Sequence, residues 1–137
     1  MVTTDLIAFL RARLDEDEWS ARHAFADHNS ATPNWCEPTT GVVDTGGPGI
    51  EDLIAIGDGP IARHVARHDP ARVLAEVDAK RRIIDDHPIL TAWKICTRCS
   101  DFHNTEPVNK IPGPCLTLRL LALPYNTHPD YQKTWAP

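Results

Sequence analysis

The sequence predicts an α+β fold, mainly helical, in a single domain over residues 1–137. Three observations predict it. Apolar residues recur at helical spacing from Leu6 to Phe25 and again from Val73 to Ile84. A β-prone, glycine-rich stretch lies between those two runs, and a proline-rich segment carrying three cysteines follows them. The length is that of one domain, since compact domains run about 100–200 residues. With 42% of residues apolar and 24% charged, the composition is globular and excludes a wholly disordered chain. The 12 prolines are nearly double the usual share, so the elements must be short and a long coiled coil is excluded.

Leu6, Leu10, Leu14, Ala21 and Phe25 form the stripe of an amphipathic helix over residues 4–29, with Ile7 beside Leu10 and Trp19 off the main row. Thr3 or Thr4 suits its N-cap, and Asp5 suits the positive end of its dipole. Asp15-Glu16-Asp17-Glu18 reads as a solvated face, because helical neighbours diverge around the axis and no calcium loop is present. Fraying is expected near His28, Asn29 and Ser30, with Pro33 beyond.

Residues 34–57 read as a β-hairpin. Trp35, Val42 and Val43 precede the turn Thr45-Gly46-Gly47-Pro48-Gly49, and Leu53 to Ile56 follow it. That turn lacks the Lys and Ser/Thr of a phosphate loop, and Glu51-Asp52 would repel phosphate. Two helices come next, 60–67 and 70–86, broken at Asp69-Pro70 with Asp69 as cap and Pro70 in the first helical position. Val73, Leu74, Val77 and Ile84 supply the buried face of the second. Glu76 to Lys80 and Asp78 to Arg82 are acid-before-base pairs that partly neutralise its Lys80-Arg81-Arg82 run.

His87-Pro88 ends that helix and opens a loop-like segment, 87–114. Cys115 to Leu123 is apolar on most sides and fits a buried strand or a short helix. Helix is the preferred reading, because Leu, Arg and Ala outnumber β-branched residues. The tail, 124–137, carries two tyrosines and Trp135, too aromatic for a solvated tail, and is expected to wrap over the core.

The chemistry concentrates in the loop. Cys96-Thr97-Arg98-Cys99 is a Cys-x-x-Cys turn, which presents two corners of a zinc tetrahedron at little entropic cost, and Cys115 offers a third. For the fourth ligand His87, at a rigid helix end, ranks ahead of His103, which would close a very short chelate. Cys36 or a water completes the field. A structural Zn2+ on Cys96, Cys99, Cys115 and His87 is therefore the expected cofactor. Reduced core cysteines, a redox pair and a disulfide stand as alternatives.

His64 and His68 share a helical face as in a zinc protease, but Val65 stands where the general base would be, so capping or packing is favoured. Asp27-His28-Asn29 and His103-Asn104 lack the setting of a His-Asn-His nuclease. No catalytic residue is assigned. The formal charge of −5 disfavours a nucleic-acid partner, since phosphate binding draws on a basic surplus. Arg63, Arg67, Arg72, Arg81 and Arg82 remain as a basic face for that second reading, and a metal-dependent hydrolase is the third. No apolar run reaches the ~18 residues of a membrane span, and the start of the chain lacks a signal peptide, so a cytoplasmic location is expected.

Three stretches carry a resemblance: Asp5 to Glu18, Ile61 to Arg82, and Cys115 to Tyr131 with Trp135. The most specific segments are His68-Asp69-Pro70-Ala71-Arg72-Val73-Leu74 and Leu121-Ala122-Leu123-Pro124-Tyr125. Over nearly its whole length the chain resembles an uncharacterised family of actinobacteria and their phages, the domain of unknown function numbered six-two-two-one. The resemblance implies no activity. It implies a small cytoplasmic protein of an actinobacterium or phage, with cysteines before the last helix that fit a metal knuckle. Leu116 stands where the family commonly has proline. The function expected is non-catalytic: a protein-interaction or regulatory role with a protein partner.

Overall fold

The computed structural model describes residues 2–26 and 32–137, with side chains from Leu6 onward. The fold is α+β and mainly helical, with a long N-terminal helix, a small antiparallel sheet, a broken helix pair and a short last helix. The described residues fall into two compact units. One is residues 15–78; the other joins the chain up to Leu14 with residues 79–137.

Helix α1 spans Val2–Ala26. It begins ahead of the expected start, so Thr3 and Thr4 lie within it rather than before it; no proline or glycine there interrupts helical geometry. Its expected end falls at residues 27–31, outside the described residues.

In the unit of residues 15–78, the expected hairpin is a three-stranded meander. Strands β1 (Cys36–Thr39), β2 (Val42–Asp44) and β3 (Leu53–Ala55) pair antiparallel in that order. β2 and β3 flank the glycine-rich turn, as the sequence predicts, and a 3-10 turn, Ile50–Asp52, sits within their connection. β1 is the addition: Pro38 and Glu37 give it little strand signal, yet Thr39 pairs with Val42 around a two-residue turn. Gly41 permits that turn. Its φ is +81°, and a Cβ there would meet the Gly57 backbone at 3.2 Å. Val43 is fully buried beneath helix α2 (Gly59–Arg67), which packs on β1 and β2 and buries Ala62.

Helix α3 spans Pro70–Asp86. Asp69 starts it: one carboxylate oxygen accepts from Arg72 N at 2.8 Å, the other from Trp35 N at 3.0 Å. Asp69→Ala removes the cap and leaves the Trp35 N–H without its acceptor, so a loss of about 2 kcal/mol is expected. Urea unfolding at unchanged m-value measures it; a loss below about 0.5 kcal/mol contradicts the assignment.

In the other unit, Leu6, Leu10 and Leu14 form the predicted stripe, and each is at most 1% exposed. They share a core with Ile84, Ile95, Leu118, Ala122 and Trp135. Phe9 and Arg13, outside that stripe, are buried as well. The reason is the tail: Tyr125, His128, Tyr131 and Trp135 ring the Phe9 side chain, and the Arg13 guanidinium lies 5.2 Å over its ring. Residues 116–122 are helical: α4 spans Leu116–Ala122, and Arg119 ties it to the tail through the carbonyls of Trp135 and Ala136.

The segment expected to be loop-like carries two small hairpins, β4 (Ile89–Leu90) with β5 (Ile95–Cys96) and β6 (Asp101–His103) with β7 (Glu106–Asn109). Strands of two to four residues are below what periodicity can detect. Their turns use Lys94 and Asn104 at positive φ.

Candidate metal centre

α3 runs out at Asp86, and His87 closes its last turn by donating from its backbone N–H to Ile84 O. Pro88 cannot continue the helix, and β4 begins at once. Its pairing sets Ile89 opposite Cys96, which brings the imidazole at residue 87 to the head of the Cys-x-x-Cys turn. Three backbone bonds hold that turn: Thr97 N to Pro88 O at 3.0 Å, Ser100 N to Cys96 O at 3.1 Å, and Cys96 N to Ile111 O at 2.9 Å. The Ser100 hydroxyl, which sequence reasoning passed over, accepts from Ile111 N at 2.9 Å and anchors the returning chain. A Ser directly after the second cysteine was its one sequence signal. The returning chain ends at Cys115, the N-cap residue of α4.

These four arrivals converge. The ligand atoms of His87, Cys96, Cys99 and Cys115 all lie within 4.8 Å of one another, with Cys96 and Cys115 buried and the other two half-buried. The sulfurs of Cys96, Cys99 and Cys115 lie 3.4, 3.5 and 3.5 Å from His87 Nδ1. One ring nitrogen has a single lone pair or a single proton, so it cannot bond three thiols equally. Equal spacing is instead what a shared centre produces. Zinc–nitrogen and zinc–sulfur lengths in a tetrahedron set N···S separations near ~3.6 Å. The group can hold a metal ion.

The chemistry of the bare cluster agrees. Burial, reinforced by the neighbouring Cys96 and Cys115 thiols, pushes the Cys99 thiol from its ordinary 9.0 up to about 12. A thiol held beside two others resists ionising unless a cation compensates the charge. The raised value fixes a sign. As pH climbs past 9.0 the unfolded chain gives up this proton while the folded, metal-free chain keeps it until about 12. Stability is therefore complete below 9.0 and falls as pH rises toward about 12 in the metal-free protein. Chemical unfolding of the chelated protein from pH 8.5 to 11 checks this, with Cys99→Ala flattening the trend; an unchanged slope contradicts it.

The other candidates lie elsewhere. His103 is exposed on β6, Cys36 is exposed on β1, and neither joins the cluster. All four cysteines are free thiols. His64 and His68 are exposed with ring centroids 4.5 Å apart, and His68 N caps α2 on the carbonyls of His64 and Val65. Among the described residues no second group of three or more such side chains gathers. Asp27, His28 and Asn29 lie outside the described residues. In the basic face, Arg72 pairs with Glu76 at 2.8 Å and Arg63 with Glu37 at 3.5 Å, so those cations already have acidic neighbours. No helix among the described residues is long and apolar enough to cross a membrane.

Fold and site together define a small α+β protein carrying a His/Cys3 cluster able to hold a metal. The model of DUF6221, a family of unknown function, matches residues 3–137, and the chain belongs to that family. No curated protein and no solved structure matches it.

Proposed function

We propose that this is a small non-catalytic interaction or regulatory protein whose cysteine-rich segment is held by a structural zinc ion. The equal spacing of three sulfurs about His87 Nδ1 carries the metal part of this reading. Three thiolates and an imidazole suit Zn2+ better than a hard cation, which takes oxygen ligands. Four protein ligands also complete the tetrahedron. Catalytic zinc keeps a position for water or substrate, whereas a closed set is structural. His87 follows the end of α3, Cys96 and Cys99 come from the end of β5 and the turn after it, and Cys115 from the head of α4, so one ion ties three elements.

The interaction part rests on exposed apolar side chains, among them Leu116 and Leu120 on α4, Leu123 just after it, and Leu53 and Ile54 on β3. A reducing cytoplasm, where zinc thiolates persist, is the fitting compartment. The actinobacterial or phage setting enters with the family resemblance.

Cobalt substitution tests the reading. Co2+ added to the metal-free chain should saturate at one equivalent with the intense visible bands of a tetrahedral thiolate site, and zinc should displace it. Added azide or cyanide should leave the bands unchanged. Bands that shift with exogenous anion would reveal an open position and favour the hydrolase reading instead; no uptake would remove the metal altogether.

A further inference from the structure

The two edges of the three-stranded sheet are built differently. β1 is blunted: it contains Pro38, its register against β2 is irregular between Cys36 and Thr39, and α2 packs on it. These are ordinary protections of a sheet edge. β3 has none of them. It contains no proline or charge, pairs with β2 in regular register, and all three of its residues are exposed.

Backbone parity shows what this edge offers. Ile56 N donates to Gly41 O, and Asp52 O accepts from Thr45 N, so residues 52, 54 and 56 turn their polar groups toward β2. Leu53 and Ala55 turn theirs outward. Leu53 N is taken by Ile50 O of the 3-10 turn. Leu53 C=O, Ala55 N–H and Ala55 C=O have no backbone partner among the described residues. One acceptor, one donor and one acceptor in a row are what an added strand requires. The side chains suit the same visitor: Leu53 is 42% and Ile54 45% exposed, on opposite faces of the strand.

Charge selects the occupant. Exposed carboxylates bracket the strand, Glu51 before it and Asp58 after it. An antiparallel second copy centred on Ile54 would set Glu51 of one chain beside Asp58 of the other, placing like charges at both ends. A strand with basic ends would meet opposite charges there. We infer that the β3 edge docks an extended peptide segment of a partner protein, β-branched at its centre and basic at its ends. This rests on the interaction reading and is independent of the metal.

The test uses the zinc-loaded full chain, 15N-labelled, titrated with the synthetic peptide acetyl-Arg-Val-Ile-Val-Lys-amide to about 1 mM, a concentration suited to weak binding. The expected result is shifts centred on residues 52–58, with slowed hydrogen exchange at the Ala55 amide. The same peptide with Glu at both ends should bind about fivefold more weakly at low salt, a difference that narrows as salt rises. Ala55→Pro removes the outward N–H and should abolish docking. Should that variant misfold, Leu53→Lys leaves the backbone intact and should weaken the basic peptide while β2 amides stay in place.

Absence of shifts at residues 52–58, or equal affinity for acidic and basic ends, overturns the assignment. Shifts confined to α4 overturn it and leave the interaction reading standing. A concentration-dependent dimer in sedimentation equilibrium that Leu53→Lys abolishes overturns the peptide in favour of a second copy.

Discussion

Stripping the metal from the zinc-loaded chain is expected to lower its thermal midpoint by about 15 °C or more. The reason is how little else holds the segment 87–114. β4 and β5 are two residues each, β6 and β7 three and four, and hairpins of that size have no independent stability. Few of its side chains are buried: Ile95, Cys96 and Ser100 are, whereas Phe102 and Val108 are exposed. Hydrophobic burial alone therefore contributes little there, and on the proposed reading the ligand bonds supply the rest. Loss of a structural zinc typically costs roughly 5 kcal/mol or more, because binding energy is folding energy in such segments. For a chain of 137 residues that corresponds to a shift of about 15 °C. Differential scanning calorimetry with and without a strong chelator measures it, and Cys96→Ser should reproduce the chelated value without chelator. A chelated chain melting within about 3 °C of the loaded one contradicts the account.

Trp135→Ala should be the most damaging single substitution away from the metal. The indole is 1% exposed and is the largest fully buried side chain. It packs on Phe9 with centroids 5.1 Å apart and on Tyr131 at 5.7 Å. Truncating a buried tryptophan costs about 3–5 kcal/mol, combining lost transfer energy with the cavity left behind. The surroundings cannot collapse easily, because Arg119 holds the main chain at Trp135 and Ala136 in place. Trp135→Phe should restore more than half of the loss, and the cobalt spectrum should be unchanged in both. Urea unfolding reads the difference; a loss below about 1 kcal/mol would mean the tail does not close this core.

The pattern of what was legible has physical reasons. The α1 stripe, the break at Asp69-Pro70 and the four clustered residues are local or chemically distinctive signals. Periodicity marks a helix, a capping carboxylate before proline marks a start, and soft ligands at Cys-x-x-Cys spacing mark a metal turn. His87 ranked first among the fourth-ligand candidates for a related reason, since a helix end followed by proline can aim an imidazole at the loop, and it lies in the cluster. Phe9 and Arg13 were not, because their burial comes from Tyr125, His128, Tyr131 and Trp135, more than a hundred residues away in the chain. Periodicity reports one covered face of a helix and is silent about a second. β1 was missed because Pro38 suppresses a strand signal at the one place, a sheet edge, where proline is tolerated. β4 to β7 were too short for any pattern, and only pairing partners define them.

On the proposed reading, one zinc ion sits among His87, Cys96, Cys99 and Cys115. X-ray absorption at the zinc edge of the purified, zinc-loaded protein tests it most directly. Three sulfur scatterers near ~2.3 Å and one imidazole nitrogen near ~2.0–2.1 Å are expected, with His87→Ala replacing the nitrogen shell by a light atom from solvent. Four sulfurs, a shell dominated by oxygen, or a spectrum unchanged in His87→Ala would contradict it.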